Sequence, residues 1–238
     1  MAKKYKAILY DMDGTLVPMD MKEFTDGYFR LLAKRLAPYN IPTDTLIDSI
    51  WKGTAAMVRN DGSRKNIEAF WETFYKLTGV TDESIEAECD SFYGEEFKGA
   101  KAFTQDNPLA TKAVNISRDK ADIVALATNP LFPLPGQITR MEWVGLKPDD
   151  FDLVTSYESD VYCKPNPKYF ESVCERLGVK PSECLMIGND EEEDMYAACT
   201  VCGMDGFLVT DTMIESKEHH WGGPRGTFAE MVEMLNSL

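Results

Sequence analysis

Two aspartates two residues apart, Asp11 and Asp13, follow an apolar run near the amino end of the chain. Further along stand Thr128-Asn129, Lys164-Pro165 and Gly188-Asn189-Asp190, with Asp194 four residues beyond Asp190. Each has a plain structural reading by itself, since Asp and Asn cap helices, Gly-Asn-Asp makes turns and Lys-Pro is a common loop dipeptide. Together they supply carboxylates, a hydroxyl, an ammonium and a second acidic group, a set that suits phosphoryl transfer. Carboxylates about 4 Å apart repel by roughly 4 kcal/mol at an effective dielectric of 20, and a dianionic phosphate must still be admitted. A single lysine is too little counter-charge. Mg²⁺ suits the remainder, because it prefers carboxylate and carbonyl oxygens, keeps waters and takes few protein ligands.

The elements that must position these residues follow from the pattern of apolar runs and breaks. Tyr5 to Tyr10 reads as a short buried strand with Asp11 at its carboxyl end. From about Met19 to Gly99 the pattern is helical and rich in aromatics and charges, broken at Pro38, Pro42, Asp61-Gly62 and Thr78-Gly79. After Pro108 the spacing predicts a helix through Lys120, a strand over Asp122 to Ala127, a helix over Leu134 to Val144 and a strand over Phe151 to Thr155. A second round predicts helices over Lys168 to Leu177 and Glu191 to Cys202, with strands over Glu183 to Ile187 and Gly206 to Val209. Such alternation implies parallel strands with right-handed helical crossovers, so the fold class is α/β with an open parallel, Rossmann-like sheet. Ligands bind such sheets outside the carboxyl ends of the strands, where all the residues named above would stand.

The string Asp11-Met12-Asp13-Gly14-Thr15-Leu16 resembles the DxDGT first motif of the haloacid dehalogenase superfamily. Ala127-Thr128-Asn129 is similar to the second motif, Lys164-Pro165 to the third, and Gly188-Asn189-Asp190 through Asp194 to the fourth. The resemblance implies a core domain over 1–18 and 100–238 and a small all-helical cap over 19–99. It implies a magnesium-dependent phosphatase acting on a small phosphorylated metabolite through an aspartyl phosphate on Asp11. A phosphomutase, or a catalytically weak phosphate-binding regulatory member, are the alternatives. By the resemblance Asp11 is the nucleophile, Asp13 the acid and base, Thr128 and Asn129 phosphate-binding, and Lys164 a partner of both Asp11 and phosphate. Asp11, the Asp13 carbonyl, and Asn189 or Asp190 would hold Mg²⁺, with Asp194 behind them. Members commonly carry an aspartate directly after the glycine of the fourth motif, where this chain has Asn189 and then Asp190.

The 238 residues carry a formal charge of -15, which disfavours a broad surface for nucleic acid or anionic lipid. Lys3, Lys4 and Lys6 precede an apolar stretch that Asp11 interrupts too early for a secretion signal, and no run is long enough to span a membrane. The expectation is a cytoplasmic protein that binds neither nucleic acid nor membrane, with a homodimer among the assemblies open to it. The six cysteines then read as reduced thiols, and Cys199-x-x-Cys202 as helix packing. Trp51, Phe70, Trp71, Phe74 and Tyr75 fall at spacings of helix faces and read as core. Arg59, Arg64 and Lys65 read as solvated loop residues, His219 and His220 as a surface turn, and Glu191 to Glu193 as an acidic first helical turn.

Overall fold

The computed structural model describes residues 4–238; Lys3 lies outside the described residues. The protein is α/β, with a six-stranded parallel sheet in the order β3-β2-β1-β4-β5-β6. The strands are β1 (Ala7–Tyr10), β2 (Ile123–Leu126), β3 (Leu153–Val154), β4 (Cys184–Gly188), β5 (Asp205–Val209) and β6 (Arg225–Gly226). β1 is central and buried along its whole length, as parallel strands covered on both faces require. Its side chains alternate: Ile8 and Tyr10 join Val124, Leu126, Leu185 and Ile187 on one face, while Ala7 and Leu9 join Ala125 and Met186 on the other.

After β1 the chain turns at Gly14, whose φ of +84° suits glycine and whose missing Cβ leaves room for the Asn189 amide. It leaves the sheet near Met19, builds helices α1 (Met21–Arg35), α2 (Thr43–Val58), α3 (Asn66–Thr78) and α4 (Ser84–Gly94), and returns through a 3-10 segment over Glu96–Phe103. The exit and return are tied where Met19 bridges Thr104 and where Gln105 N donates to the Pro18 carbonyl at 2.8 Å. Asp20 caps α1 by accepting from Lys22 N and Glu23 N. Aromatic rings knit this helical block to the sheet domain: Phe97 packs 6.2 Å from Phe24 and 5.3 Å from Trp143.

The crossover helices are α5 (Ala110–Lys120), α6 (Leu134–Trp143) and α7 (Pro167–Leu177), and α8 (Phe228–Ser237) closes the chain. Three features differ from the sequence expectations, the first being Trp51, expected as core but 52% exposed on α2, where its ring packs edge-on against Phe29 at the surface. The segment Glu191–Val201, expected as an ordinary helix, is a π-helix with bonds from Met195 N to Asp190 O and from Cys202 N to Ala197 O. Its wide first turn accommodates the Asp194 carboxylate, which reaches back to accept from Asn189 N and Asp190 N at 3.1 Å each. β6 and α8 were absent from the expected elements, although Thr227 and Glu230 form a capping box at the start of α8. All six cysteines are free thiols, and among the described residues no helix is long and apolar enough to cross a membrane.

Candidate active site

Asp11 sits one residue past β1, where its N–H extends the ladder by donating to the Ile187 carbonyl at 2.9 Å. Lys164, wholly buried beyond β3, donates from Nζ to Asp11 Oδ1 at 2.8 Å and to Asp194 Oδ1 at 2.6 Å. Burial opposes its charge, but the two carboxylates outweigh it and hold the ammonium well above its usual range. Burial likewise pushes the Asp194 carboxyl up, with the Lys164 ammonium working against that shift. One lysine thus links the tip of β1 to the helix that follows β4.

The Thr15 hydroxyl lies 3.3 Å from Asp11 Oδ2 and 3.1 Å from Asn189 Oδ1. Asn189 is oriented from its other end, where Nδ2 donates to the Thr212 carbonyl at 2.7 Å. Its amide oxygen is therefore turned toward the Thr15 hydroxyl, the same group that meets Asp11. Asp190 instead caps the following helix, its Oδ1 accepting from Glu192 N at 2.7 Å and Glu193 N at 2.8 Å. Burial raises the Asp190 carboxyl, and Asp11 adds to that shift despite the opposing backbone N–H groups.

Asp13 is held by a residue absent from the sequence expectations. Arg140, fully buried on α6, forms an ion pair with Asp13 Oδ2 and a hydrogen bond to Gln137, while its Nε donates to the Gly136 carbonyl at 3.3 Å. Its guanidinium carbon lies 4.1 Å from the centre of the Phe132 ring. The other carboxylate oxygen of Asp13, Oδ1, is buried without a hydrogen-bond partner. Burial and the Asp11 charge raise the Asp13 carboxyl beyond what Arg140 draws down. A carboxyl shifted upward in this way is suited to giving a proton. The signal for Arg140 was its place in the stripe Gly136, Thr139, Arg140, Trp143, all of which are buried.

Thr128 lies just past the end of β2 and is buried, its carbonyl accepting from Thr155 Oγ1 at 2.7 Å and the Tyr169 hydroxyl at 2.8 Å. Asn129 grips the third loop: its Oδ1 accepts from Lys164 N at 3.2 Å, and its Nδ2 donates to Glu193 Oε2 at 2.9 Å. Burial pushes the Glu193 carboxyl up to about 7. The acidic turn is thus more than a solvated helix start. Glu191 is buried and accepts from Trp221 N at 2.9 Å and Ser216 N at 3.1 Å, with His220 Nδ1 also at 3.1 Å. His219 Nδ1 lies 2.8 Å from Glu192 Oε2, so the paired histidines fasten their loop to this helix. That loop in turn fixes Asn189, whose carbonyl accepts from Ile214 N at 2.9 Å.

Among the described residues no three His, Cys, Asp or Glu side chains gather as a metal cage. Magnesium does not require one, since it binds through one or two carboxylates, neutral oxygens and water. Asp11 and the oxygen of Asn189, flanking one hydroxyl, fit that donor chemistry, and the unpartnered Asp13 oxygen beside them is open to a proton or a water.

A family model described as haloacid dehalogenase-like hydrolase matches residues 5–198. A glyceraldehyde 3-phosphate phosphatase of Methanothermobacter thermautotrophicus is 36% identical over 70 residues, covering 29% of this chain and 30% of that protein. The chain thus spans under a third of that relative. A phosphoglycolate phosphatase of Nitrosospira multiformis is 26% identical over 196 residues, covering 81% of this chain and 78% of the relative. Among solved structures, a phosphatase from Thermococcus onnurineus shares the fold with a TM-score of 0.62 at 21% identity, covering 97% of both chains. The family match spans most of the sheet domain and every strand-end residue described above, and the chain belongs to the haloacid dehalogenase-like hydrolase family.

Proposed function

We propose that this chain is a magnesium-dependent phosphatase acting on a small phosphorylated substrate through an aspartyl phosphate on Asp11. The observation that carries the reading is the Lys164 bridge, which holds Asp11 at 2.8 Å as an oriented carboxylate beside a permanent positive charge. An oxygen of Asp11 attacks phosphorus and the bond to the leaving oxygen breaks, which replaces one hard displacement by two easier ones. Asp13, raised by burial, gives its proton to the leaving oxygen and then accepts one from the water that cleaves the acyl phosphate. Lys164 and the Thr128 hydroxyl stabilise the phosphoryl oxygens, and Asn129 holds Lys164 in place.

Asp11, the Asp13 carbonyl and Asn189 would hold the Mg²⁺, which when bound supplies charge neutralisation for phosphate and carboxylate. Asn189 takes this role ahead of Asp190 because its oxygen and an oxygen of Asp11 meet the same Thr15 hydroxyl, whereas Asp190 caps the helix. The helical block over 19–99 acts as a lid over the strand ends, since both of its connections start there. The named activities of the phosphatase relatives support the phosphate class. Steady-state hydrolysis of p-nitrophenyl phosphate with and without Mg²⁺ tests the reading. Turnover that requires Mg²⁺ is expected; no turnover at any Mg²⁺ concentration refutes it in favour of a phosphate-binding role.

A further inference from the structure

The two cysteines of the CxxC turn to different partners: Cys199 packs against Gly206 of β5, and Cys202 donates to the Pro167 carbonyl at 3.5 Å. The sulfurs that meet are those of Cys174 and Cys184, 3.9 Å apart. Cys174 lies in the last turn of α7, and Cys184 opens β4. α7 begins shortly after Lys164, and β4 runs to Asn189. The two thiols therefore face each other at the amino edge of the sheet, on the elements that lead from one site residue and to another at its carboxyl edge.

Both positions are fixed by the backbone. Val179 N donates to the Cys174 carbonyl at 3.1 Å, and Cys184 pairs in register with Ala7 of β1. The connection between them is pinched where Glu183 N donates to the Lys180 carbonyl and Lys180 N donates to Glu183 Oε2, each at 2.9 Å. Thiols held in this way meet at an effective concentration far above that of any thiol in solution. A disulfide needs its sulfurs about 2.05 Å apart, an approach of about 2 Å shared between two side chains that each turn about one bond. The hydrogen bond between the thiols holds Cys174 below its usual range and pushes Cys184 up, which makes Cys174 the better nucleophile. Burial instead raises Cys89, Cys163 and Cys199. Cys174 is 3% exposed and Cys184 0%, so the pair is shielded from bulky reagents and the oxidant that reaches it is a small one.

We propose that Cys174 and Cys184 form a redox site, at which a small hydroperoxide closes a disulfide that braces α7 to β4. The Cys174 thiolate attacks a peroxide oxygen, the O–O bond breaks, and the departing hydroxide or alkoxide takes a proton to become water or an alcohol, leaving a sulfenic acid on Cys174. The Cys184 sulfur then attacks the Cys174 sulfur, the S–O bond breaks, and the hydroxide leaves as water with the Cys184 proton. The two thiols together give up two electrons and two protons, and the peroxide takes them. The new bond restricts the unfolded chain and so raises stability. This site stands independently of the phosphatase reading.

The test treats the full reduced chain with hydrogen peroxide, blocks the remaining thiols with N-ethylmaleimide in denaturant, and maps the peptides by mass spectrometry without reduction. A Cys174–Cys184 linked peptide is expected, lighter by the two hydrogens lost, released by dithiothreitol, and in at least about tenfold excess over any other cysteine pairing. Cys184→Ser should accumulate a dimedone-reactive sulfenic acid at Cys174, whereas Cys174→Ser should leave Cys184 unoxidised. The melting temperature of the oxidised wild type should exceed that of the reduced protein by at least about 3 °C. Should either variant fail to fold, the wild-type peptide map and melting temperatures decide. Recovery of both Cys174 and Cys184 as maleimide adducts once Cys202 is oxidised, or a disulfide between Cys199 and Cys202 in their place, overturns the inference. Sulfenic acid at Cys184 rather than Cys174 overturns the order of the steps, and a linked peptide with no gain in melting temperature overturns the brace.

Discussion

Arg140 and Asp13, 127 residues apart in sequence, form an ion pair in which the guanidinium is wholly buried and the carboxylate keeps one oxygen without a partner. The pair gives the acid of the proposed reaction one fixed oxygen and one available oxygen. Burial raises the carboxyl, Arg140 moderates the rise, and the geometry is set by α6 rather than by a mobile loop.

If Arg140 positions Asp13, its loss should depend on the leaving group. Arg140→Gln should lower kcat/KM about 100-fold for an alkyl phosphate, whose leaving oxygen needs a proton, and less than about tenfold for acetyl phosphate, whose leaving group does not. Arg140→Lys should recover part of the alkyl phosphate activity. Equal losses on the two esters would assign Arg140 to packing alone.

The metal prediction concerns neighbouring residues. Asn189→Ala should raise the Mg²⁺ concentration for half-maximal activity by about tenfold or more, and by more than Asp190→Ala does, because the Asn189 oxygen and Asp11 flank the same Thr15 hydroxyl. A Mg²⁺ titration of initial rates distinguishes them, and the opposite ordering would move the ligand role to Asp190.

Lys164 neutralises two buried carboxylates, so its removal strands them. Lys164→Met should cost about 3–5 kcal/mol of unfolding free energy, and adding Asp194→Asn should restore part of it. Urea denaturation of the two variants measures the difference. A loss for Lys164→Met below about 1 kcal/mol would contradict the electrostatic origin of the effect.

Glu193 has a folded pKa raised to about 7 by burial. The folded state therefore holds this proton more tightly than the unfolded chain, and stability from it is full at low pH and falls as pH rises toward 7. Relative to the parent chain in EDTA, Glu193→Gln should gain about 1–2 kcal/mol between pH 5 and pH 8. Thermal unfolding at the two pH values reads the change; a pH-independent difference would contradict it.

Much of the sheet and site was legible because Asp11, Thr128 and Asn189 each follow a short apolar run, whereas Lys164 stands in a loop well past β3. Ala7–Tyr10 and Cys184–Gly188 announce themselves as strands, and Asp11 and Asn189 directly follow them. Arg140 was hidden because an arginine in a helix is ordinarily solvated, and its partner lies in another element. Glu191 read as part of an acidic turn because its donors, Ser216 and Trp221, are contributed by a loop more than twenty residues away. The π-helix differs from an ordinary helix in its hydrogen-bond partners, which residue types alone do not display. β6, two residues long, is too short to show alternation.

Covalent trapping of the phosphorylated enzyme reads the identity of the nucleophile itself. The protein is mixed with Mg²⁺ and a phosphate ester under turnover, quenched in acid, reduced with borohydride to fix any acyl phosphate, and mapped by peptide mass spectrometry. Reduction is expected at Asp11 alone, dependent on substrate and absent from Asp11→Asn. Continued turnover with no modification at Asp11, or modification at a different carboxylate, would contradict an aspartyl phosphate on Asp11.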